Sequence, residues 1–165
     1  MSEITFTIET DRMILDEIEE SDVDFILECR SNPEVYKYFL NPHKITRKEH
    51  LCWYRDKYIS DGNRIDWIAR HREKSHPVGI FGVKRSDFPS CEAELSYIIL
   101  PIYKGNGYAG EAVQAIMEYT KKIWGINIFI AEIHTENTDS RRFIERLGFN
   151  IDGNYGKFLT YKRTI

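Results

Sequence analysis

Tyr103-Lys104-Gly105-Asn106-Gly107-Tyr108-Ala109 is the stretch whose reading decides this chain. The apolar alternation of residues 93–100 stops at Leu100-Pro101, two glycines follow, and an apolar pattern of helical period begins near Tyr108. A helix N-terminus leaves backbone N–H groups unpaired and carries about half a positive charge, so a bound phosphate is favoured there. Gly105 and Gly107 lack Cβ atoms, which lets the chain turn sharply and lets phosphate oxygens approach the amides. Lys104 adds a cation at the loop entrance. A Gly-x-Gly before a helix also serves as a plain turn, so the loop needs a second element before it names a ligand. Two other phosphate loops are excluded. A dinucleotide fingerprint requires a third glycine in register within a parallel βαβ unit, and a P-loop requires Gly-Lys-Ser/Thr; both are missing.

The pattern on either side describes a mixed α/β chain in the order β-α-α-β-β-β-α-β-α-β-β. Thr5 to Leu15 predicts a first strand. Ser21 reads as the N-cap of an amphipathic helix through Val23, Phe25, Ile26 and Leu27 that stops at Asn32, before Pro33. A helical turn over Glu34 to Phe39 follows. Thr46 and Glu49 form a capping box for a helix carrying Leu51, Tyr54 and Tyr58, closed by Asp61-Gly62-Asn63. Strands over Ile65–His71, Val78–Lys84 and Ala93–Leu100 are separated by turns at 74–77 and 86–90, which suggests an antiparallel meander. Ala109, Ala112, Val113, Ile116, Thr120 and Ile123 mark one helix face. A strand over Asn127–His134 and a short helix over Asn137–Leu147, stopped by Gly148, come next. Strands at Phe149–Ile151 and Phe158–Thr164 turn through Gly153-Asn154-Tyr155-Gly156.

Bulk properties set the class. The 165 residues fit a single domain over 1–165, and 42% hydrophobic with 30% charged residues is ordinary for a globular protein. A net charge of -3 gives no footprint for nucleic acid. No apolar run approaches the roughly 20 residues of a membrane span, and Met1-Ser2-Glu3-Ile4 shows no secretion signal. Cys29, Cys52 and Cys91 lack the spacing of a zinc or redox motif and are read as buried thiols. A reducing cytoplasm, no metal, and a monomer or homodimer are expected.

The glycine loop carries a family resemblance. Lys104-Gly105-Asn106-Gly107-Tyr108-Ala109-Gly110-Glu111-Ala112 resembles motif A of the GCN5-related N-acetyltransferases (GNATs), written Arg/Gln-x-x-Gly-x-Gly/Ala. Lys104 stands in the Arg/Gln place and loses its planar geometry, so the backbone amides matter more there. Asn137-Thr138-Asp139-Ser140-Arg141-Arg142-Phe143-Ile144-Glu145-Arg146-Leu147-Gly148-Phe149 looks like motif B, an Asn-x-x-Ser helix ending in Leu-Gly-Phe. Ala93-Glu94-Leu95-Ser96-Tyr97 with Leu100-Pro101, and Ile8-Glu9-Thr10-Asp11-Arg12-Met13-Ile14-Leu15, resemble the ribosomal-protein N-terminal acetyltransferase branch. The resemblance covers nearly the whole chain. It implies a GNAT-like domain with a twisted, mostly antiparallel mixed sheet, helices on both faces, and a splayed parallel strand pair. It further implies acetyl-coenzyme A as cosubstrate, held by Lys104, Gly105, Asn106, Gly107, Tyr108 and Ala109, by the backbone of Ile98, Ile99 and Leu100, and by Asn137 and Ser140. Asn137 serves equally well as a helix N-cap.

An amine acceptor, with a lysine-like pKa near ~10.4, must lose a proton before it attacks a thioester. Glu94 is the first candidate base, because alternation sets Glu94, Ser96 and Ile98 on one face and Leu95, Tyr97 and Ile99 on the other. A surface or cross-strand charge is the competing role for Glu94. The family's usual thiolate donor is a motif B Tyr; Ile144 stands there. Ser140 ranks first as its substitute, ahead of Tyr155, Tyr161 and His134. Arg30 to Val35 and Glu49 to Tyr54 resemble segments of bacterial amino-sugar acetyltransferases. Trp53 and Tyr54 are candidates to stack on a ring and Arg30 or Arg55 to reach a phosphate, while Trp53, Leu51 and Tyr58 fit a helix core equally. The expected activity is acetyl transfer by direct attack to a small-molecule amine, such as a nucleotide-linked amino sugar. A peptide N-terminus as acceptor and a non-catalytic coenzyme A-binding module are the competing readings.

Overall fold

The computed structural model describes residues 5–87 and 90–165. The N-terminal stretch read for a secretion signal, and Phe88 and Pro89 of the turn at 86–90, lie outside them. Eight strands form one sheet in the order β1-β2-β3-β4-β5-β6-β8-β7. They are β1 (Ile8–Glu9), β2 (Met13–Glu17), β3 (Arg64–His71), β4 (Pro77–Arg85), β5 (Glu92–Ile99), β6 (Ile128–His134), β7 (Asn150–Tyr155) and β8 (Phe158–Thr164). Every neighbouring pair is antiparallel except β5 and β6. The meander is β3 to β5, as the turn chemistry predicts, and β2 pairs antiparallel beside β3.

Two of the expected strand readings differ. The first strand is a hairpin, because Thr10 folds back on Met13: its amide donates to Met13 O at 2.9 Å and its hydroxyl accepts from Met13 N at 3.0 Å. The last hairpin turns at Gly156-Lys157, since a register shift between Ile151 and Gly153 lets β7 continue to Tyr155.

Helices α1 (Val23–Arg30), α2 (Pro33–Tyr36) and α3 (Arg47–Asp56) cover one face; α4 (Tyr108–Trp124) and α5 (Thr138–Arg146) cover the other. Ser21 does not cap α1. A 3-10 turn at Glu20–Asp22 precedes that helix, with Glu19 and Asp22 forming a reciprocal box, and Asn32 caps α2 through Glu34 N. The Thr46–Glu49 box caps α3, with Thr46 N donating to Glu49 at 2.7 Å. That helix ends at Asp56, and a 3-10 turn at Tyr58–Ser60 fills the interval before Gly62.

The main core lies between the sheet and α4–α5. Ala112, Val113, Ile116 and Met117 of α4 meet Trp67, Phe81, Leu95 and Phe129 there. α4 stops where Gly125 adopts φ 70°. A smaller cluster of Ile18, Ile26, Tyr58 and Ile68 sits under α1 and α3, with Trp53 packed against it. Cys29 is buried, and burial raises its thiol pKa to about 12. Cys52 and Cys91 are exposed: Cys52 falls on the outer face of α3, opposite buried His50.

Candidate active site

The parallel pair is joined only from Glu92 and Ile128 to Glu94 and Ile130, although β5 runs on to Ile99 and β6 to His134. Beyond Glu94 the two strands separate and open a cleft. Its walls include Leu95, Ser96, Tyr97, Ile98 and Ile99 from β5 and Ala131 to His134 from β6. Pairing alternates along an antiparallel ladder, so every second amide of β5 faces β4 and the others face the cleft. Leu100 N donates to Val78 O at 3.0 Å. The same alternation directs the Ile98 amide to β4 and those of Tyr97 and Ile99 into the opening. Of the expected trio Ile98, Ile99 and Leu100, only the Ile99 amide faces the opening, joined there by that of Tyr97, because the β4 ladder already uses the other two.

At one end of the cleft stands the N-terminus of α4. Gly105 and Gly107 have φ of 79° and 81°, the left-handed region that glycine occupies without strain. Lys104, Gly105, Gly107, Tyr108 and Ala109 line the cleft. Asn106 faces the other way: its carbonyl accepts from Arg12 Nη1 at 2.8 Å. Arg12 also lies over the Tyr108 ring at 4.2 Å and donates to Glu111 at 2.7 Å. The β1–β2 turn thus braces the glycine loop from outside. Burial raises the Glu111 pKa, but the bonds from Thr10 and Arg12 outweigh it and hold the carboxyl below the usual range.

These features have counterparts in known proteins. An acetyltransferase (GNAT) domain model matches residues 12–150. The chain belongs to the GNAT acetyltransferase family. The uncharacterized N-acetyltransferase p20 of Bacillus licheniformis is 30% identical over 155 residues, covering 89% of this chain and 84% of that protein. RimL, a ribosomal L7/L12 alpha-N-protein acetyltransferase solved with coenzyme A, shares the fold with a TM-score of 0.82 at 16% identity, covering 97% of this chain and 98% of that one. FdhC, a nucleotide-linked sugar GNAT, superposes with a TM-score of 0.81 at 17% identity, covering 98% and 91%.

Within this GNAT cleft, the start of α5 forms the far wall. Asn137 caps the helix, its side chain accepting from Ser140 N at 3.4 Å, and also lines the cleft. Ser140 Oγ lies 2.8 Å from the Tyr97 hydroxyl. Tyr97 is the residue that sequence reasoning missed; alternation put it opposite Glu94, but nothing local said that α5 packs there. Ile144 is sealed in the core. Of the other suggested donors, Tyr155 is exposed on a hairpin and Tyr161 is buried, its hydroxyl tied to Arg141 and Glu145. His134 lines the cleft with its ring between Tyr38 and Phe158, and Nδ1 accepts from Glu136 N at 3.2 Å.

The opposite face of β5 carries Glu94. Its side chain is open to the cleft, yet enough protein surrounds it that burial, then the nearby Glu132 charge, raises its pKa above the ordinary carboxylate value against Arg64 and Lys84. Glu92, one step back, pairs with Lys162 at 3.5 Å. Asp66 is neutralised by Arg64, whose Nη2 lies at 3.0 Å. Further along the same wall are Arg30, His50 and Trp53. His50 is fully buried and neither ring nitrogen meets a partner among the described residues; burial and then Arg30 lower its pKa. Arg55 and Tyr54 do not reach the cleft: Arg55 pairs with Glu20, and Tyr54 stacks on Tyr58. Among the described residues no three His, Cys, Asp or Glu side chains gather as a metal site requires, and no helix is long and apolar enough to cross a membrane.

Proposed function

We propose that this GNAT transfers the acetyl group of acetyl-coenzyme A, by direct attack, to the primary amine of a small acceptor that also carries an anion. A nucleotide-linked amino sugar is an acceptor of that kind. The observation that carries the reading is the unzipping of β5 from β6 beyond Glu94 and Ile130. It aligns three chemical requirements along one cleft. The amides at the start of α4, with Lys104 beside them, suit a pyrophosphate. The free amides of Tyr97 and Ile99 suit an extended amide-bearing arm, and a thioester carbonyl whose oxygen becomes negative during attack. Ser140 and Asn137 complete that wall.

Glu94 is the base in this scheme. It takes the amine proton directly or through water, and a carboxyl whose pKa is raised holds that proton better than an ordinary one. Arg30 is the feature that favours an anionic acceptor. It lines the cleft and has no carboxylate within ion-pair distance among the described residues, while the buried ring of His50 beside it is held neutral by that burial and by Arg30. Trp53 offers an aromatic face nearby.

Thiol release from acetyl-coenzyme A against an amine panel tests the reading. Nucleotide-linked amino sugars and phosphate-bearing amines should outpace polyamines and peptides with free N-termini. Fastest turnover of a peptide or polyamine would overturn the acceptor class. Coenzyme A binding with no amine able to stimulate release would overturn catalysis.

A further inference from the structure

A thioester sulfur departs as an anion and needs a donor beside it. Ile144, where the family resemblance puts a Tyr, is apolar and wholly buried. Ser140, Asn137, His134 and Tyr97 are among the polar groups lining that wall, with Thr138, Asp139 and Arg142 beside them. Asn137 is engaged as the α5 cap, and the His134 ring is wedged between two aromatic rings. Tyr97 reaches across from β5, edge-on to Phe143 with centroids 4.9 Å apart, to bring its hydroxyl 2.8 Å from Ser140 Oγ.

We propose that Tyr97 is a positioning residue for Ser140: its hydroxyl donates to Ser140 Oγ and so turns the Ser140 hydrogen toward the departing sulfur. The proposal rests on the acetyl-transfer reading above. A helix serine left to itself bonds back to a carbonyl one turn earlier. Tyr97 occupies one lone pair of Oγ and fixes the rotor, so the hydrogen points away from the phenol and into the cleft. The phenol keeps its proton, because burial, partly offset by Ser140, raises its pKa to about 12, above the ~8.5 of a free thiol. Ser140 therefore stabilises the sulfur anion by hydrogen bonding and does not protonate it. In the balanced step the N–C bond forms, the C–S bond breaks with its electron pair on sulfur, and the amine proton goes to Glu94 or water. The thiolate collects a proton from solvent.

Tyr97→Phe, Ser140→Ala and the double variant test this. Each single change is expected to lower kcat by about tenfold or more, with KM for both substrates within about twofold. The double variant should be no slower than Ser140→Ala, because Tyr97 acts only through Ser140. Ser140→Thr should retain activity beside Tyr97 and lose it in Tyr97→Phe. The second readout is the thiol pKa of bound coenzyme A, followed by the ultraviolet absorbance of the thiolate. It should rise by about one pH unit in Tyr97→Phe and in Ser140→Ala, one unit being a tenfold preference for the anion. A double variant slowed by the product of the singles, a change confined to KM, or an unmoved thiol pKa would each overturn the proposal. The thiol titration needs no acceptor, so it separates failure of this pair from failure of the acetyl-transfer reading.

Discussion

Gly107→Ala probes the loop proposed to hold the cofactor pyrophosphate. Gly107 sits at φ 81°, ψ 1° as the residue before α4. An L-residue there costs about 1–2 kcal/mol in backbone strain. The added Cβ would meet Arg12 Nη2 at 3.3 Å, so the guanidinium must shift a few tenths of an ångström while keeping its bond to Asn106 O. The strain has two outlets. If the loop stays as it is, the variant loses about 1–2 kcal/mol of stability, or a Tm drop of roughly 2–8 °C for a chain of this length. If the loop relaxes out of the left-handed region, its amides rotate and acetyl-coenzyme A must restore them, raising Kd by about 5–30-fold. Thermal unfolding and calorimetric titration measured on the same sample give the two parts, whose free energies should sum to about 1–2 kcal/mol. Gly105→Ala is the control: its φ is 79° and an added Cβ meets nothing within 4 Å. It carries the strain without the Arg12 contact. Unchanged Tm and unchanged Kd in Gly107→Ala would refute the claim that the left-handed turn builds this site.

Three further outcomes follow from the same geometry. Glu94→Gln should lower kcat/KM by about 10²–10⁴-fold with acetyl-coenzyme A affinity nearly intact. Because the native pKa of Glu94 is raised, its charge weakens the fold: Glu94→Gln should be the more stable form above that native pKa, with the gain vanishing once pH falls below the unfolded carboxylate value. The acid limb of the wild-type kcat/KM profile should lie above the ordinary carboxylate range for the same reason. Glu111→Gln should cost about 1 kcal/mol in denaturant melts at neutral pH, a modest figure because solvent screens the partly open Arg12. The Glu111 pKa is depressed in the folded chain, so that difference should be full above the unfolded value and disappear as pH falls through the native one. Arg30→Met should raise KM for an anionic acceptor by about 10–100-fold while sparing acetyl-coenzyme A affinity and turnover of uncharged amines. An equal effect on charged and uncharged amines in steady-state assays would remove Arg30 from acceptor recognition.

Much of the site was legible because its parts are local. The glycines and the following helix lie within one segment, and the Asn137-x-x-Ser140 cap is contained in a single turn. The Thr46–Glu49 box is likewise complete within four residues and is found as expected. Readings failed where a neighbour from elsewhere decided the outcome. Thr5 to Leu15 has the composition of one strand, yet the Thr10–Met13 bonds and the Glu111 carboxylate hold Thr10 and Arg12 in a turn. Leu100 reads like its neighbours on β5, but its amide is spent on Val78 because β4 lies on that side. Cys52 sits among apolar residues and is exposed, because α3 turns His50 inward instead.

The amino-acid sequence by itself determined the family, the order of elements and the glycine turn before a helix at residues 103–109 that we propose receives a phosphate, since backbone freedom at glycine and orphan amides at a helix start are local properties. Only the tertiary structure decided which amides of β5 are free, that Tyr97 rather than a motif B tyrosine meets Ser140, and that His50 and Arg30 share a wall with Glu94. Those contacts join residues 20 to 64 positions apart in the chain. Strand alternation says which side chains share a face, but what packs against that face is settled by the whole sheet closing over its two cores.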